Sequence, residues 1–247
     1  MISWASSVIF KNENRFVNDA LNSSWISGGK YILKFENKIK KKFKIKNAFL
    51  VSNGTAAIHA AFLAIGLNYE DEIIVPGYGY MAAANIGNLM GLKVKFSDVD
   101  KNTFCINLEN LKKKISNKTK AVVVTHTYGN MQEIYKIKYF LKKKKILLIE
   151  DSAESFGCTD KDNYAGTIGD LGTYSFHATK NIVMGEGGMV VTNNKKFAEN
   201  IKLFRSHGVK KERYKHLVFG HNFRITNIQA AIGCGQIENF EKIKSKR

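Results

Sequence analysis

Short apolar strands alternating with helices predict an α/β domain, a mostly parallel sheet flanked by helices. Three observations carry that expectation. Runs such as Ala121-Val122-Val123-Val124 and Ile146-Leu147-Leu148-Ile149 have the length and composition of strands buried on both faces. Between such runs lie stretches with apolar residues at helical spacing, or rich in alanine. The two kinds of segment alternate along the chain with no repeat and no low-complexity linker.

Taken in order, residues 31–43 show helical spacing. A short strand at 48–52 feeds an alanine-rich helix at 55–66. A strand at 72–76, ended by the single proline Pro76, precedes a helix at 81–90. A strand at 93–98 and a helix at 108–115 follow. Strands at 121–126 and 146–151 bracket a helix at 133–142. Further short strands fall at 173–176 and 189–192, and helices at 195–206 and 226–240.

The 247 residues, 44% apolar, suffice for one sizeable α/β domain. No stretch of eighteen uncharged apolar residues is present, so no membrane span is expected. Met1-Ile2-Ser3-Trp4-Ala5-Ser6-Ser7 does not read as a signal peptide. Cys105, Cys158 and Cys234 are scattered and odd in number, which fits neither a disulfide framework nor a metal site; a cytoplasmic setting is expected. The formal charge is +18. Its excess is mostly lysine in short runs such as Lys142-Lys143-Lys144-Lys145 on or after helices. That pattern makes solvated faces, and no nucleic-acid motif accompanies it.

Ligands of parallel sheets gather at the carboxyl ends of strands. Several chemistry-bearing residues fall there. Ser52-Asn53-Gly54-Thr55-Ala56-Ala57 is a strand-to-helix turn. It suits an anion held by free N–H groups, and equally a plain helix cap. Asp151 ends the 146–151 strand, with Glu150 as its competitor. Because side chains alternate, only one of the two faces a given side. Lys180 lies in Ser175-Phe176-His177-Ala178-Thr179-Lys180-Asn181, ahead of Gly185-Glu186-Gly187-Gly188-Met189. A strand-end acid and a later loop lysine are the two groups pyridoxal phosphate (PLP) chemistry requires. The lysine condenses with the aldehyde, and the acid keeps the pyridine nitrogen protonated. Lys180 by itself is one lysine among many, and context gives it weight. Tyr80, in Pro76-Gly77-Tyr78-Gly79-Tyr80, could stack on a pyridine ring or be an ordinary loop aromatic. His177 is a candidate proton carrier or a packed histidine. For His59 and His126 the structural reading is favoured.

These residues together resemble the DegT/DnrJ/EryC1/StrS sugar aminotransferases, within the aspartate aminotransferase fold type I of PLP-dependent transferases. The matching stretches include Trp25-Ile26-Ser27-Gly28-Gly29-Lys30, Ser52-Asn53-Gly54-Thr55, Glu150-Asp151-Ser152-Ala153-Glu154, Tyr174-Ser175-Phe176-His177 with Lys180, and Asn222-Phe223-Arg224 with Gln229-Ala230-Ala231. They run in family order over nearly the whole chain. The phrasing around Lys180 is most similar to the perosamine-synthase-like branch, which aminates a 4-keto-6-deoxy nucleotide sugar for surface polysaccharide biosynthesis.

The resemblance implies that Lys180 is the cofactor-binding lysine and Asp151 the pyridine-nitrogen partner. Gly54, Thr55, Ala56 and Ser175 match the phosphate-binding turn and strand, and Tyr80 the stacking aromatic. Glu154 falls near the cofactor's phenolic oxygen. Asn222 matches a phosphate contact supplied across a homodimer. Glutamate is the implied amino donor. Related dehydratases carry histidine where this chain keeps Lys180, which points to transamination. Gly79 and Ala83 stand where family members have Thr, which loosens the loop of Tyr80. Residues 1–30 are read as an N-terminal segment, 31–240 as the PLP-binding large domain, and 241–247 as the start of the C-terminal small domain. The chain is otherwise expected to lack that domain, to bind PLP and to turn over poorly. Amination of a 3-keto sugar and a non-catalytic regulator on the same scaffold are the alternatives.

Overall fold

The computed structural model describes residues 7–131, 133–210, 212 and 214–246. The signal-peptide reading rests mainly on residues 1–6 and lies outside them. In chain order the elements are α1 (Lys11–Asn22), α2 (Lys30–Phe43), β1 (Asn47–Val51), α3 (Gly54–Ile65), β2 (Glu72–Pro76), α4 (Ala82–Leu89), β3 (Lys93–Ser97), α5 (Leu108–Lys114) and β4 (Thr119–Thr125). A 3-10 turn (Thr127–Gly129) leads to α6 (Ile134–Lys143), β5 (Leu147–Asp151), β6 (Thr159–Asp160), β7 (Asn163–Tyr164), β8 (Leu171–Ser175), β9 (Gly188–Thr192), α7 (Lys195–Phe204), α8 (Asn227–Glu238) and α9 (Phe240–Lys244).

The central sheet has seven strands in the order β1-β9-β8-β5-β4-β2-β3. The β2–β3, β2–β4, β4–β5 and β5–β8 pairs are parallel. Only β9 runs against the other six, pairing antiparallel with both β1 and β8. The mostly parallel sheet flanked by helices is therefore present.

Alternation along the strands divides the core. Phe49, Val51, Ile73, Val75, Ala121, Val123, Ile149 and Val190 point to one face, packed with residues of α3, α4 and α7. Their neighbours point the other way. Ala48, Leu50, Tyr174, Met189 and Val191 meet α1, α2, α8 and α9. Ile74, Val122, Val124 and Leu148 meet α5 and α6. The period of two in a pleated strand requires this division, and continuous apolar runs are what a sheet covered on both faces needs.

Helix α1 falls within the N-terminal segment, where the sequence singles out no element. Phe16 and Ala20 are buried in the same cluster as α8. Glu13 caps α1 by accepting from Phe10 N–H at 3.0 Å, and also accepts from Gln236 Nε2 at 2.6 Å. Its few apolar positions share one face of an otherwise polar helix that also buries an acid, and packing of that face supplies its stability. The expected helix at 226–240 is instead two helices, α8 and α9, separated at Asn239.

Candidate active site

A cavity of about 1250 Å³ opens at the carboxyl ends of the central strands and at the amino end of α3. Gly54, Thr55, Ala56, Tyr80, Asp151, Glu154, Ser175, Lys180 and Asn222 all line it. The fold thus gathers into one space every residue that the sequence assigns to the cofactor.

The turn before α3 explains one wall. Asn53 caps the helix: its Oδ1 accepts from Ala56 N–H at 2.8 Å and its carbonyl accepts from Ala57 N–H at 3.1 Å. The cap and the anion-binding turn are therefore compatible. Ala56 N–H is spent on the cap, while the N–H groups of Gly54 and Thr55 have no acceptor among the described residues. A Cβ on Gly54 would lie 2.9 Å from the Cβ of Ser175 and 3.3 Å from its Oγ. Glycine thus lets the helix terminus approach the Ser175 hydroxyl. Two free N–H groups and two hydroxyls, Thr55 and Ser175, converge at the positive end of a helix dipole, which suits a phosphate.

Asp151 and Glu150 separate as strand alternation demands. Asp151 faces the cavity with 6% exposure. Its Oδ1 accepts from Ala153 N–H at 3.1 Å. Burial holds its carboxyl above the usual carboxylate range, against the downward pull of the Ala153 N–H and of the charge on Lys180. Glu150 points away and is fully buried. It accepts from Gly166 N–H at 3.0 Å, Ile168 N–H at 2.7 Å and Gly169 N–H, and pairs with His126 Nε2 at 2.7 Å. Glu150 and His126 therefore anchor the 166–169 loop behind the sheet.

Lys180 sits on a hairpin-like excursion between β8 and β9. Phe176 N–H donates to Gly187 O at 2.8 Å, Met184 N–H to Phe176 O at 2.8 Å, Ala178 N–H to Gly185 O at 2.9 Å, and Lys180 N–H to His177 O at 2.9 Å. Gly185 takes φ +79°, the left-handed region that the turn requires. Lys180 is half-buried at the cavity, and its charge is felt by Asp151. His177 is exposed rather than packed. Its Nδ1 shares a hydrogen with Thr179 Oγ1 at 3.0 Å, and its Nε2 lies 3.8 Å from Glu186 Oε1.

Tyr80 projects 85% exposed at the cavity, directly after Gly79 at φ +132°. A threonine at 79 would be strained in that conformation. Glu154 Oε2 accepts from Tyr128 N–H at 3.2 Å. Asn222 Oδ1 accepts from Arg224 Nε at 2.9 Å, and Ser52 N–H donates to Phe223 O at 2.8 Å. Asn222 therefore stands at the cavity of its own chain.

Sequence reading left several lining residues unassigned. His59, favoured as structural, lines the cavity one turn along α3 from Thr55, within ring contact of His221 at 4.8 Å and Phe223 at 5.3 Å. Burial, and then the charge of His221, lowers its pKa. The Thr55–His59 spacing of four was the available signal. Tyr78 and Tyr128 also line the cavity, and no local pattern marks Tyr128. Among the described residues no cluster of three His, Cys, Asp or Glu could hold a metal ion, and no helix is long and apolar enough to cross a membrane.

The chain is 42% identical over 237 residues to a GDP-perosamine synthase of Escherichia coli O157:H7, covering 95% of this chain and 65% of that protein. The chain thus spans about two thirds of the length of the curated relatives it matches. Helicobacter pylori PseC, an aminotransferase involved in the biosynthesis of pseudoaminic acid, superposes with a TM-score of 0.92 at 30% identity, over 97% of this chain and 66% of that one. A GDP-4-keto-6-deoxymannose-3-dehydratase with a trapped PLP-glutamate geminal diamine gives a TM-score of 0.93 at 30% identity, over 98% and 69% of the two chains. The model of the DegT/DnrJ/EryC1/StrS aminotransferase family matches residues 8–247, and the chain belongs to that family.

Proposed function

We propose that this chain holds pyridoxal phosphate and serves transfer of an amino group from glutamate to a nucleotide-linked keto-deoxy sugar, the 4-keto-6-deoxy class foremost. The observation that carries the reading is the convergence of three things on one cavity: Lys180, the buried carboxyl of Asp151, and the Gly54–Ser175 cradle. The relatives named as perosamine synthase and PseC support the sugar class, and the PLP-glutamate complex of the related dehydratase supports the cofactor and the donor.

The residues fit the cofactor on their own chemistry. A buried acid with one hydrogen bond among the described residues is costly unless a cation meets it. A protonated pyridine nitrogen is such a cation. The N–H groups of Gly54 and Thr55 and the hydroxyls of Thr55 and Ser175 await an anion. When bound, pyridoxal phosphate supplies an aldehyde that condenses with amines and a ring that withdraws electrons from the bond being broken. Asp151 would keep a proton on the ring nitrogen. Lys180 would hold the group through its Nζ and, once free, would serve as the base and acid for the substrate proton. Tyr80 would stack on the ring, Glu154 would accept from the phenolic oxygen, and Asn222 would add to the phosphate wall, in its own chain or across a homodimer. The cofactor-holding residues in this reading all fall within residues 31–240.

The test is covalent capture. After incubation with PLP and reduction with borohydride, mass spectrometry is expected to find the cofactor on the peptide containing Lys180. Lys180→Ala is expected to abolish the adduct. An adduct spread evenly over surface lysines, or none at all, defeats the reading.

A further inference from the structure

Part of the cavity lining is unused by the roles above. Asp151 ends β5, Ser175 ends β8, and Lys180 follows β8. Beside them in the sheet lie β4, β2 and β3, in that order. The loops after them carry large aromatics: Tyr128 after β4, Tyr78 and Tyr80 after β2, and Phe104 after β3.

The side chains of Tyr78, Tyr128 and Phe104 form a cluster. The Tyr78 and Tyr128 hydroxyls are 3.3 Å apart. The Phe104 ring lies 5.2 Å from Tyr78 and 6.1 Å from Tyr128. Tyr78 and Tyr128 both line the cavity, and Tyr128 is 72% exposed.

The backbone holds this arrangement under strain. Phe104 has φ +57° and Tyr128 has φ +53°, a region bulky residues avoid. Surrounding bonds keep them there. Thr127 Oγ1 donates to Phe104 O at 3.1 Å, Cys105 Sγ donates to Asn130 O at 3.4 Å, and Tyr128 N–H donates to Glu154 Oε2 at 3.2 Å. Two strained aromatics stitched together, Tyr128 lining the cavity and Phe104 packed against its ring, mark a site rather than a core.

We infer that Tyr78 and Tyr128, backed by Phe104, form a specificity shelf on which the hexose ring of the nucleotide sugar docks; this rests on the aminotransferase reading. The reacting ring must lie in the cavity with Lys180; Tyr78 and Tyr128 line that cavity on the loops after β2 and β4, and Phe104 packs against both rings. A deoxyhexose presents an apolar C–H face together with hydroxyl groups. Tyrosine offers a ring face and a hydroxyl to match. A nucleobase, separated from the sugar by a diphosphate, does not need to reach this wall.

The test compares GDP-mannose with GDP as calorimetric probes on the PLP-loaded chain. GDP-mannose is expected to bind roughly tenfold more tightly than GDP. Tyr128→Ala and Tyr78→Ala are expected to erase most of that ratio while leaving GDP affinity unchanged, and Tyr128→Phe to keep most of it. In saturation-transfer NMR on the unsubstituted chain, hexose protons are expected to receive more saturation than base protons, a readout that stands even if a variant fails to fold. Equal affinity for both probes, an equal loss for both in Tyr128→Ala, or strongest transfer to the base overturns the shelf. Cofactor capture at Lys180, measured on the same samples, separates the two ideas. Its loss removes the aminotransferase reading and the shelf with it, whereas its retention beside any overturning result removes the shelf alone.

Discussion

A Cβ placed on Gly54 would stand 2.9 Å from the Cβ of Ser175. These residues are far apart in the chain, yet they bring a helix amino end and a strand-end hydroxyl together. Alanine at 54 favours the helix by about 1 kcal/mol but forces the two walls of the cradle apart. Gly54→Ala is therefore expected to weaken PLP retention by at least about tenfold with little change in melting temperature. Equilibrium dialysis and thermal unfolding check this. Undiminished PLP affinity would show that the cradle holds no phosphate.

Asp151 links stability to pH in the opposite sense from most carboxylates. Burial raises its folded pKa above the ordinary 3.8, so the native state binds the extra proton. Stability contributed by this group is therefore highest below 3.8 and falls as pH rises through the folded value. Asp151→Asn cannot ionise. Without cofactor, the variant is expected to melt above the parent at neutral pH, with the gap closing toward pH 3.8. With PLP added, the parent is expected to gain more stability than the variant. A variant that gains as much from PLP would remove Asp151 from the pyridine nitrogen.

Glu150 is a structural acid. Its carboxylate takes three backbone N–H groups and His126. Glu150→Ala orphans them inside the protein and is expected to cost about 3–5 kcal/mol of unfolding free energy. Glu150→Gln is expected to cost less. Denaturant titration decides, and a loss below about 0.5 kcal/mol would contradict the anchoring role.

Glu72 links stability to pH in the ordinary sense of a paired carboxylate. Burial by itself would raise its pKa, but hydrogen bonds from Lys95, Thr119 and Ser116 together bring it below 4.5. Lys95 Nζ lies 2.7 Å from Oε2, and Ser116 Oγ donates to Oε1 at 2.8 Å. A folded pKa below the unfolded one gives stability that is present above pH 4.5 and lost as pH falls through the folded value. Glu72→Gln is expected to flatten that acid loss and to lower neutral-pH stability by about 1–3 kcal/mol. Melting temperature against pH reads both effects. An acid limb unchanged by the substitution would assign the loss to other groups.

Element order was readable because strands and helices write their periods locally. The strand at 72–76 and the helix at 108–115 fall within a residue of β2 and α5. Helix α1 escaped because its burial depends on α8, more than two hundred residues away. The antiparallel course of β9 escaped for a like reason: direction belongs to the pairing of strands, and the run Met189-Val190-Val191 reads the same either way.

The candidate site divides along the same line. Lys180, Asp151 and the Gly54-Thr55 turn announce themselves through residue type and position at strand ends, and side-chain alternation requires that Glu150 and Asp151 face opposite sides. Which acid meets the cavity depends on which helices cover each face of the sheet. The same holds for His59, which joins the cavity, and His126, which joins Glu150 behind it. The Tyr78–Phe104–Tyr128 cluster exists because β4, β2 and β3 are neighbours in the sheet although their order along the chain differs. Backbone period is a property of adjacent residues, whereas a cavity wall is a property of loops that only strand pairing brings side by side.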